Sequence, residues 1–225
     1  MIGIDVATRI CALACALLVV AEWRELSRLR IASKLVASAA FVAIGFQAAQ
    51  LGHDPAGVAY GQWLLIGLVL GAVGDAALLG RGSRAFLAGL GAFLLGHLAY
   101  VAATIGLVPI GAWPATTGIG VLIPIVAGGT ALALLWPRLG SMRMPVIAYV
   151  IAIVAMVVGA IAVARAHALP ETQRMRLVIG ASLFFVSDLA VARDRFVART
   201  FANKLWGLPA YYAGQLFIAW SLVGL

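Results

Sequence analysis

Eight apolar stretches, each long enough to cross a bilayer as a helix, constrain the fold of this chain more than any other feature. A spanning helix needs about 20 apolar residues, because each residue advances the helix by only about 1.5 Å. The sequence therefore predicts an all-α fold, a polytopic transmembrane helical bundle of about eight spanning helices, in a single transmembrane domain over residues 1–225. The predicted helices cover residues 4–23, 30–51, 60–79, 85–106, 113–136, 144–165, 173–192 and 205–224.

Composition excludes a soluble domain, because 64% of the 225 residues are hydrophobic and only 11% are charged. Soluble domains carry about 25% charged residues. The net charge of +8 does not indicate nucleic-acid binding, since the basic residues lie in short clusters between the apolar stretches. Cys11 and Cys15 lie one helical turn apart in the first stretch, where they are expected to be packing or lipid-facing residues rather than a disulfide or metal site.

Basic residues are unequally distributed between the two ends of the predicted helices. Twelve of the 16 lysines and arginines flank the connections after helices one, three, five and seven. Because cytoplasmic loops are enriched in lysine and arginine, these connections are predicted to be cytoplasmic and both termini to lie outside. The expected location is the bacterial inner (plasma) membrane. The four residues at the other ends are Arg9, Arg165, Arg174 and Arg176.

Two aspartates lie near the ends of predicted helices that run in the same direction. Asp75 is near the end of the third helix and Asp188 near the end of the seventh, 113 positions later. Four helices separate them, so both reach the same leaflet, and the pattern suggests a 4+4 parallel repeat. Ionisable groups within a bilayer are costly, which makes both aspartates candidates for function.

Other polar residues share helical faces that could point toward one cavity at the predicted cytoplasmic leaflet. Lys34 and Ser38 lie on one such face, and His97 and Tyr100 lie on another. Simpler interpretations stay open: the aspartates could pair with Arg81 and Arg193 at the membrane surface, Lys34 could be an ordinary cytoplasmic-side cation, and His97 and the tyrosines could be core residues. The other candidates are Ser187, Tyr211, Tyr212 and Gln215.

Three blocks of residues, in order and with fixed spacing, carry a resemblance to a known family. The first is Gly74-Asp75 with Leu78, Phe86, Gly89, Phe93, Gly96, His97 and Tyr100; the second is Gly180-Ala181-Ser182-Leu183-Phe184 with Ser187-Asp188; the third is Leu208-Pro209 with Tyr211-Tyr212 and Gln215. From about Lys34 to Gln215, the chain resembles the lysoplasmalogenase (YhhN-like) family of integral membrane proteins.

The resemblance implies hydrolysis of the vinyl ether bond of a lysoplasmalogen, giving a fatty aldehyde and a glycerophospho-alcohol without a cofactor. This reaction needs one carboxylic acid that protonates the alkene, and a second carboxylate that stabilises the cation and activates water, as in glycosidases. Asp75 and Asp188 are the expected catalytic pair, in an order that the sequence does not assign. Lys34 and the arginine-rich rim would bind the phosphate, and His97, Tyr100, Tyr212 and Gln215 would orient water or glycerol.

Two rival functions are compatible with parts of the pattern. A metal-dependent hydrolase would need several histidines near the aspartates. The chain has three, and His53 and His167 are predicted at the opposite face, so no metal is expected. A proton-coupled transporter of a small molecule or lipid is the alternative function, since buried carboxylates also occur in transporters. The expected partners are a lysophospholipid substrate and membrane lipids, with no nucleic acid; homo-oligomerisation stays open.

Overall fold

The computed structural model describes residues 2–50 and 55–224, and within them the chain forms nine α-helices and no strand. Helices suit this composition because every backbone polar group is then bonded inside its own segment, as a bilayer requires. The helices are α1 (Ile2–Trp23), α2 (Ser27–Ala49), α3 (Pro55–Ala77), α4 (Ser83–Leu107), α5 (Trp113–Thr117), α6 (Leu122–Leu135), α7 (Arg143–Arg165), α8 (Glu171–Phe196) and α9 (Phe201–Trp220).

Seven helical stretches of the described residues are long and apolar enough to cross a membrane, which supports an integral membrane protein. They are Gly3–Trp23, Ser27–Ala49, Gly57–Ala77, Ser83–Leu107, Ile110–Arg138, Gly140–Arg165 and Glu171–Phe196. The eighth predicted span, 205–224, is also a helix, α9, but it is not among the seven. Its polar residues, which include Asn203, Lys204 and Gln215, lower its mean hydropathy. Two of these three, Asn203 and Gln215, are buried against neighbouring helices.

The predicted fifth span, 113–136, lies within the candidate membrane span Ile110–Arg138, but it is not one continuous α-helix, and it does not break at Pro124. The short helix α5 ends at Thr117, a 3₁₀ turn covers Gly118–Val121, and α6 begins at Leu122. Gly118 has a φ of +54°, a left-handed conformation that glycine adopts without steric cost. Pro124 falls in the first turn of α6, where its missing N–H costs no hydrogen bond. The break is therefore made by Gly118.

The helices form a closed ring in which α9 completes the bundle. Helices α1 to α4 pack in sequence, α4 packs on α7, and α7, α8 and α9 follow. Helix α9 then returns to contact α1, α2 and α3, whereas α5 and α6 lie outside the ring against α7. The 4+4 repeat stays a prediction.

Small residues let the helices of the ring approach closely. A Cβ on Gly180 of α8 would lie 2.8 Å from the backbone nitrogen of Ile218 in α9, and a Cβ on Gly214 would lie 3.0 Å from the oxygen of Gly180. The predicted inward faces are confirmed, since Ser38, His97 and other members are buried. Cys11 and Cys15 are buried free thiols rather than lipid-facing ones.

Candidate active site

Both predicted catalytic aspartates line one cavity of about 640 Å³. The cavity is bounded at one end by residues of three connections and their flanking turns, including Glu22, Arg81 and Arg199. These are the α1–α2, α3–α4 and α8–α9 connections. They lie on the face with the larger number of basic residues. At the other end, Phe93 and Tyr211 meet edge to face with ring centroids 5.7 Å apart. The cavity therefore runs from a charged rim to an aromatic floor.

Asp75 is a buried carboxylate with a cationic partner. It lies in the last turn of α3 and is 1% exposed. Lys34 and Ser38 lie one turn apart on the adjacent α2, so both reach the same carboxyl group. The Nζ of Lys34 is 2.8 Å from Oδ1. The hydroxyl of Ser38 donates to Oδ2 over 2.6 Å, and that of Tyr212 donates over 3.4 Å.

Asp188 has different partners. The hydroxyl of Tyr149 on α7 donates to Oδ2 of Asp188 over 2.8 Å, and Nε2 of His97 lies 3.5 Å from the same oxygen. The side chain of Asp188 is 15% exposed, and that of His97 is fully buried. Within the described part of the chain, no lysine or arginine forms an ion pair with Asp188. The interpretation that the two aspartates pair with Arg81 and Arg193 is wrong, since Arg193 donates instead to Asn203 over 2.6 Å.

A chain of hydrogen bonds lies beneath the two aspartates. The hydroxyl of Tyr100 donates to Oε1 of Gln215 over 2.7 Å, and Nε2 of Gln215 donates to the hydroxyl of Tyr211 over 3.2 Å. The ring of Phe184 lies against Tyr211, with centroids 5.2 Å apart. These contacts fix the aromatic floor of the cavity.

The rim of the cavity is mostly cationic. Lys204 pairs with Asp194 at 3.1 Å, and the guanidinium of Arg195 lies 4.3 Å from the ring centroid of Phe86. Arg81 and Arg199 also line the rim. A guanidinium group can bind phosphate oxygens in pairs, so this rim suits a phosphate headgroup.

The predicted site residues fall into two groups. Asp75, Asp188, Lys34, Ser187 and Tyr211 line the cavity. Another four do not line it and are buried behind its walls, where they can act only through the lining residues: His97, Tyr100, Tyr212 and Gln215.

Two important residues were not predicted as site residues, Ser38 and Tyr149. Tyr149 is the one side chain with a polar group between Pro145 and Ala164 of α7, and this isolated polar residue was the feature of the sequence that could have identified it.

His53 lies outside the described residues, and His167 lies after the opposite end of α7 from Tyr149.

The described residues contain no group of three His, Cys, Asp or Glu side chains that could hold a metal ion. The cavity holds the two carboxyl groups and their hydrogen-bond and ion-pair donors. The absence of a metal requirement stays a prediction.

Comparison with known proteins identifies relatives over most of the chain. The model of the YhhN family matches residues 29–222. The chain is 31% identical to the lysoplasmalogenase TMEM86A of Bos taurus, over 71% of this chain and 65% of that protein. It is 31% identical to a lysoplasmalogenase of Mycobacterium bovis, over 70% of this chain and 59% of that protein. An uncharacterized membrane protein YhhN of Escherichia coli O6:H1 is 29% identical, over 71% of this chain and 73% of that protein.

The chain thus spans less than two thirds of the length of the two lysoplasmalogenases. No solved structure matches it significantly. The family match covers the elements that supply both aspartates and all their partners, from α2 to α9. The chain therefore belongs to the YhhN family.

Proposed function

We propose that this protein hydrolyses the vinyl ether bond of lysoplasmalogens, with Asp188 as the general acid and Asp75 as the general base. The observation that carries the proposal is that two carboxyl groups with unequal partners line one cavity of a membrane protein. The named relatives support the substrate class. Neither they nor the family match supports the transporter alternative.

The unequal partners support the assignment of roles. Asp75 is stabilised as a carboxylate by the ammonium group of Lys34, so at rest it can accept a proton. Asp188 receives a hydrogen bond from the neutral phenol of Tyr149 and has no cationic lysine or arginine partner among the described residues. A carboxyl group without a cation beside it in a poorly hydrated site favours its protonated form, so Asp188 has a proton to give.

The reaction then balances without a cofactor. Asp188 protonates the alkene carbon distant from oxygen, and the resulting oxocarbenium ion lies beside the new carboxylate of Asp188. Asp75 removes a proton from the water that attacks the cation, which gives a hemiacetal. Asp75 next donates that proton to the glyceryl oxygen, while Asp188 takes the hemiacetal hydroxyl proton, and the C–O bond breaks. Both carboxyl groups return to their starting state.

Lys34 is therefore the counter-ion of Asp75 rather than a ligand of the substrate phosphate. The rim arginines Arg81 and Arg199 bind the phosphate instead. We further propose that this rim faces the cytoplasmic leaflet, because it belongs to the face where twelve of the 16 basic residues cluster. With α9 as an eighth crossing, both termini then lie outside.

The first test measures fatty aldehyde released from a lysoplasmalogen by the purified protein. Asp75→Asn and Asp188→Asn should each abolish release, while Asp5→Asn should retain it, because Asp5 lies near the start of α1 beside a separate hollow. In heavy-oxygen water, rapidly trapped aldehyde should carry the label and the glycerophospho-alcohol should not. Aldehyde release by a folded double Asp75→Asn, Asp188→Asn variant would refute the mechanism.

A separate test asks which aspartate is the acid and which is the base, with azide in place of water as the nucleophile. Azide needs no general base, so Asp75→Asn should convert the substrate to an azido ether, with the proton still supplied by Asp188. Asp188→Asn should not respond to azide. Azide rescue of Asp188→Asn alone would reverse the assignment.

A further inference from the structure

The walls of the cavity differ sharply in polarity. Helices α6, α7 and α8 together present an apolar wall, which comprises Ala131, Leu135, Val146, Val150, Ile153 and Phe185. Part of this wall is anchored by a small core of Leu135, Leu139 and Val146, against which Val150 and other side chains pack. Packing within the protein thus holds this part of the wall in place.

Apart from Asp188, Asp194 and Arg195 of α8, the charged lining residues lie elsewhere around the cavity. Glu22, Arg30 and Lys34 come from α1 and α2, Arg81 from the α3–α4 connection, and Lys204 from α9. No charged residue of α6 or α7 lines the cavity in the described part of the chain. A molecule with one charged end and one apolar end can match both walls in only one orientation.

We propose that the apolar wall of α6, α7 and α8 is the binding slot for the alkenyl chain of a single-chain ether lipid, and that Ala131 sets its width. This inference rests on the proposed function and defines how the substrate lies in the site. The chain-side carbon of the vinyl ether then faces Asp188, because Tyr149 and Asp188 belong to the same helices, α7 and α8, as most of the wall. The glycerophosphate end faces the cationic rim.

The slot distinguishes alkenyl chains of different length by how they fit its shape, rather than by the hydrophobic free energy of binding. Lipid tails are as apolar as leucine side chains, so moving a chain from the bilayer to the slot offers little hydrophobic free energy. Packing in a confined space, by contrast, is sensitive to every added group. Narrowing the slot should therefore penalise long chains more than short ones.

Ala131 offers a sharp test because the same helix has a matched control. Ala131 lines the cavity and is half-buried, whereas Ala133 is exposed on α6 and does not line the cavity. The test compares kcat/KM of the Ala131→Phe and Ala133→Phe variants for hexadecenyl and octenyl lysoplasmalogens. Ala131→Phe should lower kcat/KM for the hexadecenyl substrate by about ten-fold or more, a factor typical of overpacking, and affect the octenyl substrate less. Ala133→Phe should leave both unchanged.

Binding of an uncleavable analogue separates this inference from the proposed function. A saturated hexadecyl ether lysolipid, measured by native mass spectrometry, should bind the wild type and the Ala133→Phe variant and bind Ala131→Phe about ten-fold more weakly. That pattern without any aldehyde release would retain the slot and reject the reaction. An equal loss for both chain lengths in a folded Ala131→Phe variant, or undiminished analogue binding, would overturn the slot.

Discussion

Replacement of Lys34 by methionine should destabilise the protein, because it leaves the Asp75 carboxylate buried without its counter-ion. Methionine retains most of the apolar stem of lysine, so the main change is the lost charge. Removing one partner of a buried ion pair costs about 3–5 kcal/mol. The lower end of that range applies here, since Lys34 is 12% exposed and Ser38 still donates to Asp75. We expect the free energy of unfolding to fall by about 3 kcal/mol.

The loss should be reversed by a second substitution. An asparagine in place of Asp75 would need no counter-ion, so Lys34→Met with Asp75→Asn should recover most of the lost stability, and the double-mutant cycle should give a coupling energy of about 2 kcal/mol. The assay is SDS-driven unfolding in mixed micelles, followed by circular dichroism. Lys204→Met is the matched control, because the Lys204–Asp194 pair is more exposed, at 37% and 19%, and such pairs contribute about 0–1 kcal/mol.

The two possible roles of Lys34 give opposite results. If Lys34 only bound the substrate phosphate, Lys34→Met would raise KM and leave unfolding unchanged. Equal stability of the wild type and Lys34→Met, within the error of the Lys204→Met control, would therefore refute the ion-pair argument and the assignment of Asp75 as the resting carboxylate.

Four further results are expected. Tyr149→Phe removes one hydrogen bond to Asp188, which is worth about 0.5–1.5 kcal/mol, so kcat should fall about two- to ten-fold with KM unchanged in steady-state assays. Tyr149→Lys should abolish turnover in a folded protein, because a cation there would hold Asp188 as a carboxylate; retained activity would contradict its role as acid. A strong chelator should leave aldehyde release unchanged, whereas a loss restored by added metal would revive the metal-dependent hydrolase. Gly180→Ala should lower the free energy of unfolding by about 1–3 kcal/mol, since its Cβ would meet the α9 backbone, while Gly129→Ala, with nothing within 4 Å, should not.

The helices and the inward faces could be predicted from the sequence because the bilayer imposes their length and polarity. Ser38 and His97 are buried as their helical spacing indicated. The exception is the fifth predicted span, which is not one continuous α-helix, because an apolar sequence does not indicate where the backbone turns. Gly118 breaks that helix, and glycine among apolar residues is common in membrane helices.

The pairing of polar residues could be predicted only in part. Two acids on helices of the same direction pointed correctly to one cavity. Whether Lys34 faced phosphate or a carboxylate depended on how α2 packs on α3, which no spacing within one helix records. Tyr149 was missed for the same reason, because a single tyrosine in an apolar helix is also typical of ordinary packing.

The contrast between the two aspartates arises from the helix that precedes each of them. Asp75 on α3 takes its donors Lys34 and Ser38 from α2, and Asp188 on α8 takes its donor Tyr149 from α7. In each case the donor lies on the preceding spanning helix, a similar distance back along the chain. One helix supplies an ammonium and a hydroxyl, and the other supplies a neutral phenol. Two acids in equivalent places can thus differ in charge at rest, because the difference is encoded in their partners. A pair that must give one proton and accept another needs this inequality, and it is the feature of the site that most directly supports acid–base hydrolysis.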